Sequence, residues 1–168
     1  LSVLAGYVDI LRGVRAHDGG LLLVDGGDLF QGTLESNLAE GEGVVEAYNA
    51  MGYDAAAIGN HEFDFGPVGE RSLAGDDDDP RGALKARTAQ AKFPFLVANI
   101  VESDTRARPK WPNVQSSVVI EKAGVRIGLI GIATASTPHT TMPANFRGLA
   151  VDPLAASIVV NSGGTLTV

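Results

Sequence analysis

The apolar positions of the first sixty residues fall into two periods. Leu4, Val8, Leu11 and Val14 recur every three or four residues, which predicts an amphipathic helix from residue 2 to about residue 16. His17-Asp18-Gly19-Gly20 breaks it, with glycine placed to cap its C-terminal end. Leu21 to Val24 is a continuous apolar run that reads as a short buried strand ending at Asp25. Val44, Val45, Tyr48 and Met51 share one side of a second helix, Glu42 to Met51, which Gly52 ends. Tyr53 to Ile58 returns as a strand. Such strand–helix–strand units build parallel sheets, so the expected fold class is α/β.

Further along, Gly75 to Pro80 is a loop of aspartates and proline, expected to be the least ordered part of the chain. Gly82 to Lys92 has the composition of a helix, and Phe93 to Ala98 that of a strand leading into Asn99. Ser116 to Lys122 and Val125 to Ile132 flank a short Ala123-Gly124 turn, the pattern of a β-hairpin. The threonine-, proline- and alanine-rich stretch after Ile132 reads as irregular. Pro153 to Ala156 starts like a helix, yet Ile158 to Val160 and Leu166 to Val168 have strand composition. This conflict predicts a domain over residues 1–156 and an atypical tail over residues 157–168.

With 168 residues, 45% of them hydrophobic, the chain can bury one core. The net charge of −7 disfavours nonspecific binding to nucleic acid or anionic membrane, so neither is expected as a partner. Four of those charges are the run Asp76 to Asp79, without which the remainder is −3. The absence of cysteine excludes disulfides and discriminates no compartment. No signal-peptide pattern is visible, and no stretch approaches the length of a membrane-spanning helix. Residue 1 is leucine, from which missing upstream residues are expected.

Two polar strings follow the first two apolar strands: Asp25-Gly26-Gly27-Asp28-Leu29-Phe30-Gln31-Gly32, and Gly59-Asn60-His61-Glu62-Phe63-Asp64. Each puts its side chains just beyond a strand's C-terminal end, where open α/β sheets bind ligands. An aspartate after a strand is commonly a helix cap or a turn residue. Here, however, Asp25 and Asp28 flank two glycines, and no lysine or arginine occurs between Arg15 and Arg71. Two acids so close are costly unless a cation neutralises them. Asp28 can bridge two cations, Asn60 can offer an amide oxygen to one, and His61 can meet a phosphate. Asp64 is placed to fix the His61 tautomer and raise its basicity. Together they point to a two-metal phosphoesterase centre. With three histidines in the chain and no cysteine, only half of such a site is visible.

The neighbouring residues have plainer expectations. Asp25 holds its loop through backbone amides, Glu62 is structural, and Gln31-Gly32-Thr33 shapes the first loop. His17 and His139 are loop histidines, and Asn99 is placed where it could face the site. No glycine-rich string that cradles phosphates is present, which weakens the reading of a metal-free nucleotide-binding module.

Gly27 to Gly32 and Gly59 to Gly66 together resemble the 5′-nucleotidase family of calcineurin-like metallophosphoesterases, over about Leu1 to Ala156. The resemblance implies a partial αββα sandwich whose strand-end loops hold two divalent metal ions, zinc, manganese or similar. It implies that Asp28 bridges both metals and that Asn60 is an amide ligand of one, in contact with substrate. His61 then stabilises the phosphoryl transition state and touches the substrate, with Asp64 as its orienting partner. The implied substrate is a nucleotide or another phosphate monoester, and the implied location is periplasmic or extracellular.

The family pattern also contains an Asp-x-His string before these motifs, and Gly-His and Gly-His-x-His strings after them. A C-terminal domain holds the nucleoside. None of these occurs in the chain. The expectation is therefore a fragment, impaired when isolated, whose missing segments act in cis. The alternatives are a cyclic phosphodiesterase or thiol-ester hydrolase of the same superfamily, or a non-catalytic remnant with weak or no metal binding.

Overall fold

A computed structural model describes residues 1–69, 71 and 73–154, with the backbone of 159–160 and 166–167. The helices in chain order are α1 (Ser2–Arg15), α2 (Leu34–Leu38), α3 (Glu42–Met51), α4 (Gly82–Gln90), α5 (Thr137–Thr140) and α6 (Pro143–Phe146). The strands are β1 (Val24–Asp25), β2 (Ala55–Ala57), β3 (Phe95–Leu96), β4 (Ile100–Glu102), β5 (Val114–Gln115), β6 (Ser117–Lys122), β7 (Val125–Ile130), β8 (Leu149–Val151), β9 (Val159–Val160) and β10 (Leu166–Thr167).

Four strands form a parallel sheet in the order β1-β2-β3-β5. Val24 lies opposite Ala55, Ala56 opposite Phe95, and Phe95 opposite Val114. The β6–β7 hairpin runs antiparallel from Ser117–Ile130 to Lys122–Val125, and β4 pairs antiparallel with β8. Val45, Tyr48 and Met51 of α3 and Leu84 of α4 join Phe93, Phe95 and Val97 in one buried cluster. Each large apolar side chain so buried stabilises the fold by about 1.5–3 kcal/mol. Phe30 and Phe63, one from each candidate loop, belong to the same cluster and are fully buried. Each loop is thus pinned to the core by an aromatic ring, Phe30 edge-on to Phe95 and Phe63 edge-on to Phe146.

The expected elements survive with four corrections. First, the leading strand is only Val24–Asp25, and Val24 is 45% exposed rather than buried. It sits at the sheet edge, paired on one side only, so half its surroundings are absent. Second, residues after Ile132 are not irregular but form α5 and α6, each with a proline in its first turn, where the missing N–H costs nothing. His139 therefore lies on a helix, not in a loop. Third, two of the four aspartates in the loop carry bonds that composition does not foretell. Asp78 accepts from the Gly75 N–H and pairs with Arg71, while Asp79 accepts from the Arg81 N–H and pairs with Lys85 at 2.7 Å. Fourth, of the four periodic apolar residues of α1 only Val8 is buried. β4, β5 and β8 are two or three residues long, too short to show a period in sequence.

The expected boundary between residues 156 and 157 lies outside the described residues. Beyond it, β9 and β10 pair antiparallel. Among the described residues no helix is long and apolar enough to cross a membrane.

Candidate active site

Because β1 and β2 are parallel neighbours, the loops that leave their C-terminal ends emerge side by side. Their backbones approach so closely that side chains are excluded. A Cβ on Gly59 would lie 2.2 Å from Asp28 Oδ1, and one on Gly27 would lie 2.6 Å from the Gly59 nitrogen. Gly27 has φ +97°, a conformation that glycine adopts without strain. Asp28 follows it at φ 65°, the left-handed region that aspartate tolerates better than most residues.

Glu62 holds this arrangement. Its side chain is 1% exposed and its carboxylate takes four backbone hydrogen bonds. Oε2 accepts from the N–H groups of Asp28 (2.9 Å) and Gly59 (2.6 Å), and Oε1 from Leu29 (2.7 Å) and Phe30 (3.3 Å). One side chain therefore satisfies the polar backbone of both loops, which burial would otherwise leave without partners. Burial pushes the Glu62 carboxyl up to about 7, against the downward pull of the Asp28, Gly59 and Leu29 N–H groups.

The four residues singled out in sequence lie along these two loops. Asp28 Oδ1 accepts from the His61 N–H at 3.0 Å, and His61 Nδ1 meets Asp64 Oδ2 at 2.5 Å. The short turn His61–Phe63 is 3-10 helical, and its three-residue period brings His61 and Asp64 to one face. The hydrogen bond that the His61 Nδ1–H donates to Asp64 raises the imidazole pKa above its ordinary value. Asp64→Asn is expected to lower the His61 midpoint in a pH titration followed by imidazole NMR. An unchanged midpoint would contradict the pairing.

A third segment braces the pair. Asn60 Nδ2 donates to the Thr140 carbonyl at 2.8 Å, which identifies the nitrogen end of the amide and leaves Oδ1 as an acceptor with no partner among the described residues. Thr141 Oγ1 donates to Asp64 Oδ1, and buried Asn145 donates to the Phe63 carbonyl. Thr140, Thr141 and Asn145 stand about eighty residues from their partners and carry no motif, so no sequence signal marks them.

Other expectations divide. Asp25 does hold its loop, accepting from the Gly27 N–H and the Tyr48 hydroxyl at 2.8 Å each. Thr33 caps α2, and Gly32 donates to Asn37. Asn99 does not face the site. It is 2% exposed and binds the Ala133 N–H and carbonyl, joining β3's end to the segment after β7. His17 is exposed in a turn after α1, away from both loops in sequence and pairing.

Two metal ions would need more donors than these loops present. Asp28 and Asn60 offer two hard oxygen donors, and among the described residues no group of three histidine, cysteine, aspartate or glutamate side chains could hold a metal. Zinc takes four ligands and manganese prefers six oxygens. The residues present do not by themselves fit a two-metal centre.

No family model matches the chain. Protein UshA of Yersinia enterocolitica is 37% identical over 141 residues, 84% of this chain and 22% of that protein. The 5′-nucleotidase precursor of Thermus thermophilus superposes on 89% of this chain with a TM-score of 0.68 at 30% identity, covering 26% of that structure. The calcineurin-like phosphoesterase YfkN of Bacillus subtilis shares the fold at a TM-score of 0.65 and 22% identity, over 92% of this chain and 47% of its own. The chain is a homologue of one region of the UshA and 5′-nucleotidase proteins, and its fold is a partial calcineurin-like phosphoesterase sandwich. It spans about a quarter of the length of the relatives named 5′-nucleotidase or UshA.

Proposed function

We propose that this chain is part of a phosphoesterase that hydrolyses phosphate monoesters of nucleotides, and that residues 1–156 are an incomplete catalytic domain. The observation that carries the reading is the pairing of two loops at parallel strand ends, Asp28 on the first and Asn60 on the second, with the His61–Asp64 dyad beside them. In this reading Asp28 and Asn60 are two ligands of a divalent-cation centre, whose other ligands come from outside the described residues. His61, with Asp64 fixing its ring, supplies a positive N–H to the phosphoryl oxygens, where charge accumulates in the transition state. Asn60 and His61 are the substrate contacts on this side. Export to the periplasm or the cell exterior is what the family resemblance implies for the whole protein.

The test uses a longer protein that carries this segment and hydrolyses AMP. His61→Ala is expected to depress kcat by about a hundredfold or more while leaving metal affinity nearly intact. Asp28→Ala is expected to lose both. Equal loss of metal affinity in the two variants would refute the division of roles.

A further inference from the structure

A cavity of about 540 Å³ opens away from the two loops, between the start of α4, the segment from Glu102 to Trp111, and Gly148–Leu149. It shares no lining residue with residues 25–33 or 59–64. Its volume is that of a small-molecule site. In a chain of net charge −7, four of the thirteen lysines and arginines line this one cavity: Arg81, Lys85, Arg108 and Lys110. The carboxylates of Glu102 and Asp104 line it too, and several of the six charged groups are already engaged, Arg108 among them through the Ala98 carbonyl. Lys85 pairs with Asp79, and Glu102 accepts from the Thr105 hydroxyl at 2.7 Å.

Arg81 is the unusual member. Its Nη1 donates to the carbonyls of Asn145 (3.0 Å) and Arg147 (3.1 Å), which fixes the guanidinium. Its Nε is buried and has no acceptor, and among the described residues nothing accepts from Nη2. A buried donor without a partner is costly, and native structures rarely leave one. Nη2 is thus the part of the guanidinium left to donate a charge-assisted hydrogen bond to an oxyanion. Lys110, which has no ion-pair partner among the described residues, supplies a second positive charge to the lining. Trp111 gives the cavity a rigid aromatic side, packed edge-on against Phe63.

We propose that this cavity is an oxyanion site that takes a phosphate group, with the guanidinium of Arg81, through Nη2, and the Lys110 ammonium as its cations. The inference goes beyond the phosphoesterase reading and does not depend on it, because none of its residues belongs to either loop.

Trp111 is the only tryptophan of the chain, so its fluorescence reports on the cavity directly. The chain is titrated at constant ionic strength with inorganic phosphate, and in parallel with AMP, adenosine and chloride. Phosphate and AMP are expected to give saturable changes, adenosine and chloride none. A tighter midpoint for AMP than for phosphate identifies an ester as the ligand, and equal midpoints identify the bare anion; both support the site. Arg81→Lys, which keeps the charge but loses the guanidinium held by the Asn145 and Arg147 carbonyls, and Lys110→Ala are each expected to weaken the phosphate midpoint by about tenfold. Among the described residues the Lys110 side chain bonds to no backbone group, so its variant reads the site even where Arg81→Lys disturbs folding. His61→Ala is expected to leave the midpoint unchanged. A response that is absent, that adenosine reproduces, or that His61→Ala abolishes while Lys110→Ala spares it, overturns the proposal.

Discussion

Urea unfolding of Glu62→Ala is expected to show a loss of roughly 4 kcal/mol or more, close to the whole stability of a small domain. The side chain is buried and accepts four backbone N–H groups from two loops distant in sequence. Truncation leaves those donors without acceptors, at about 1–3 kcal/mol for each that water cannot reach. It also releases Asp28 from the left-handed conformation, which persists only while its surroundings hold it. Glu62→Gln keeps the volume but turns an NH₂ group toward two of the donors, so it should fall between Ala and wild type. Glu46→Ala, at an exposed position on α3, is the control and is expected within about 0.5 kcal/mol of wild type. A Glu62→Ala loss no larger than that of the control would refute the clamp.

The same residue gives the pH dependence a sign. Burial raises its carboxyl from 4.5 to about 7, so between those values the folded protein keeps a proton that the unfolded chain releases. The part of the stability linked to this titration is therefore fully present below about pH 4.5 and is lost as pH rises through about 7, while the four accepted bonds act against that loss. Glu62→Gln, neutral throughout, should lack this decline. Parallel pH profiles for the two proteins would contradict the assignment.

Turnover by these 168 residues alone is expected to stay near background with AMP or p-nitrophenyl phosphate, in Mn²⁺ or Zn²⁺. Asp28 and Asn60 bring two oxygen donors, and no three-residue metal group occurs among the described residues. Misplacing reacting groups by about 1 Å already costs on the order of a hundredfold, and here ligands are absent rather than displaced. Extending the chain with segments that supply the remaining ligands should recover activity. Metal-dependent turnover by the 168 residues, abolished by Asp28→Ala, would show that the described donors suffice.

The two loops are legible in the sequence because each follows an apolar run, and the His61–Asp64 pair because its members stand three residues apart. The α3 helix, with its 3.6-residue period and Gly52 at its end, is legible for the same reason. What stays hidden depends on distance along the chain. Asn60 and Asp64 are braced by Thr140 and Thr141, which no local pattern connects to them. Glu62 reads as structural, but its fourfold role follows only from a 3-10 turn that swings it between the loops. Val24 reads as buried because an apolar run says nothing about whether a neighbouring strand will cover it. Asn99 shows the converse: a polar residue at a strand end that turns inward to satisfy the backbone at Ala133.

In the proposed reading Asp28 and Asn60 form one side of a cation centre beside His61. A Mn²⁺ titration of the chain followed residue by residue in amide NMR spectra tests it most directly, because the paramagnetic ion broadens the signals nearest to it. The run Asp76 to Asp79 is the natural competitor, being the densest negative charge in the chain. The expected result is broadening that begins at Gly27–Asp28 and Gly59–His61 and is lost in Asp28→Ala. Broadening centred on residues 76–79, with Gly59–His61 untouched, would contradict the claim.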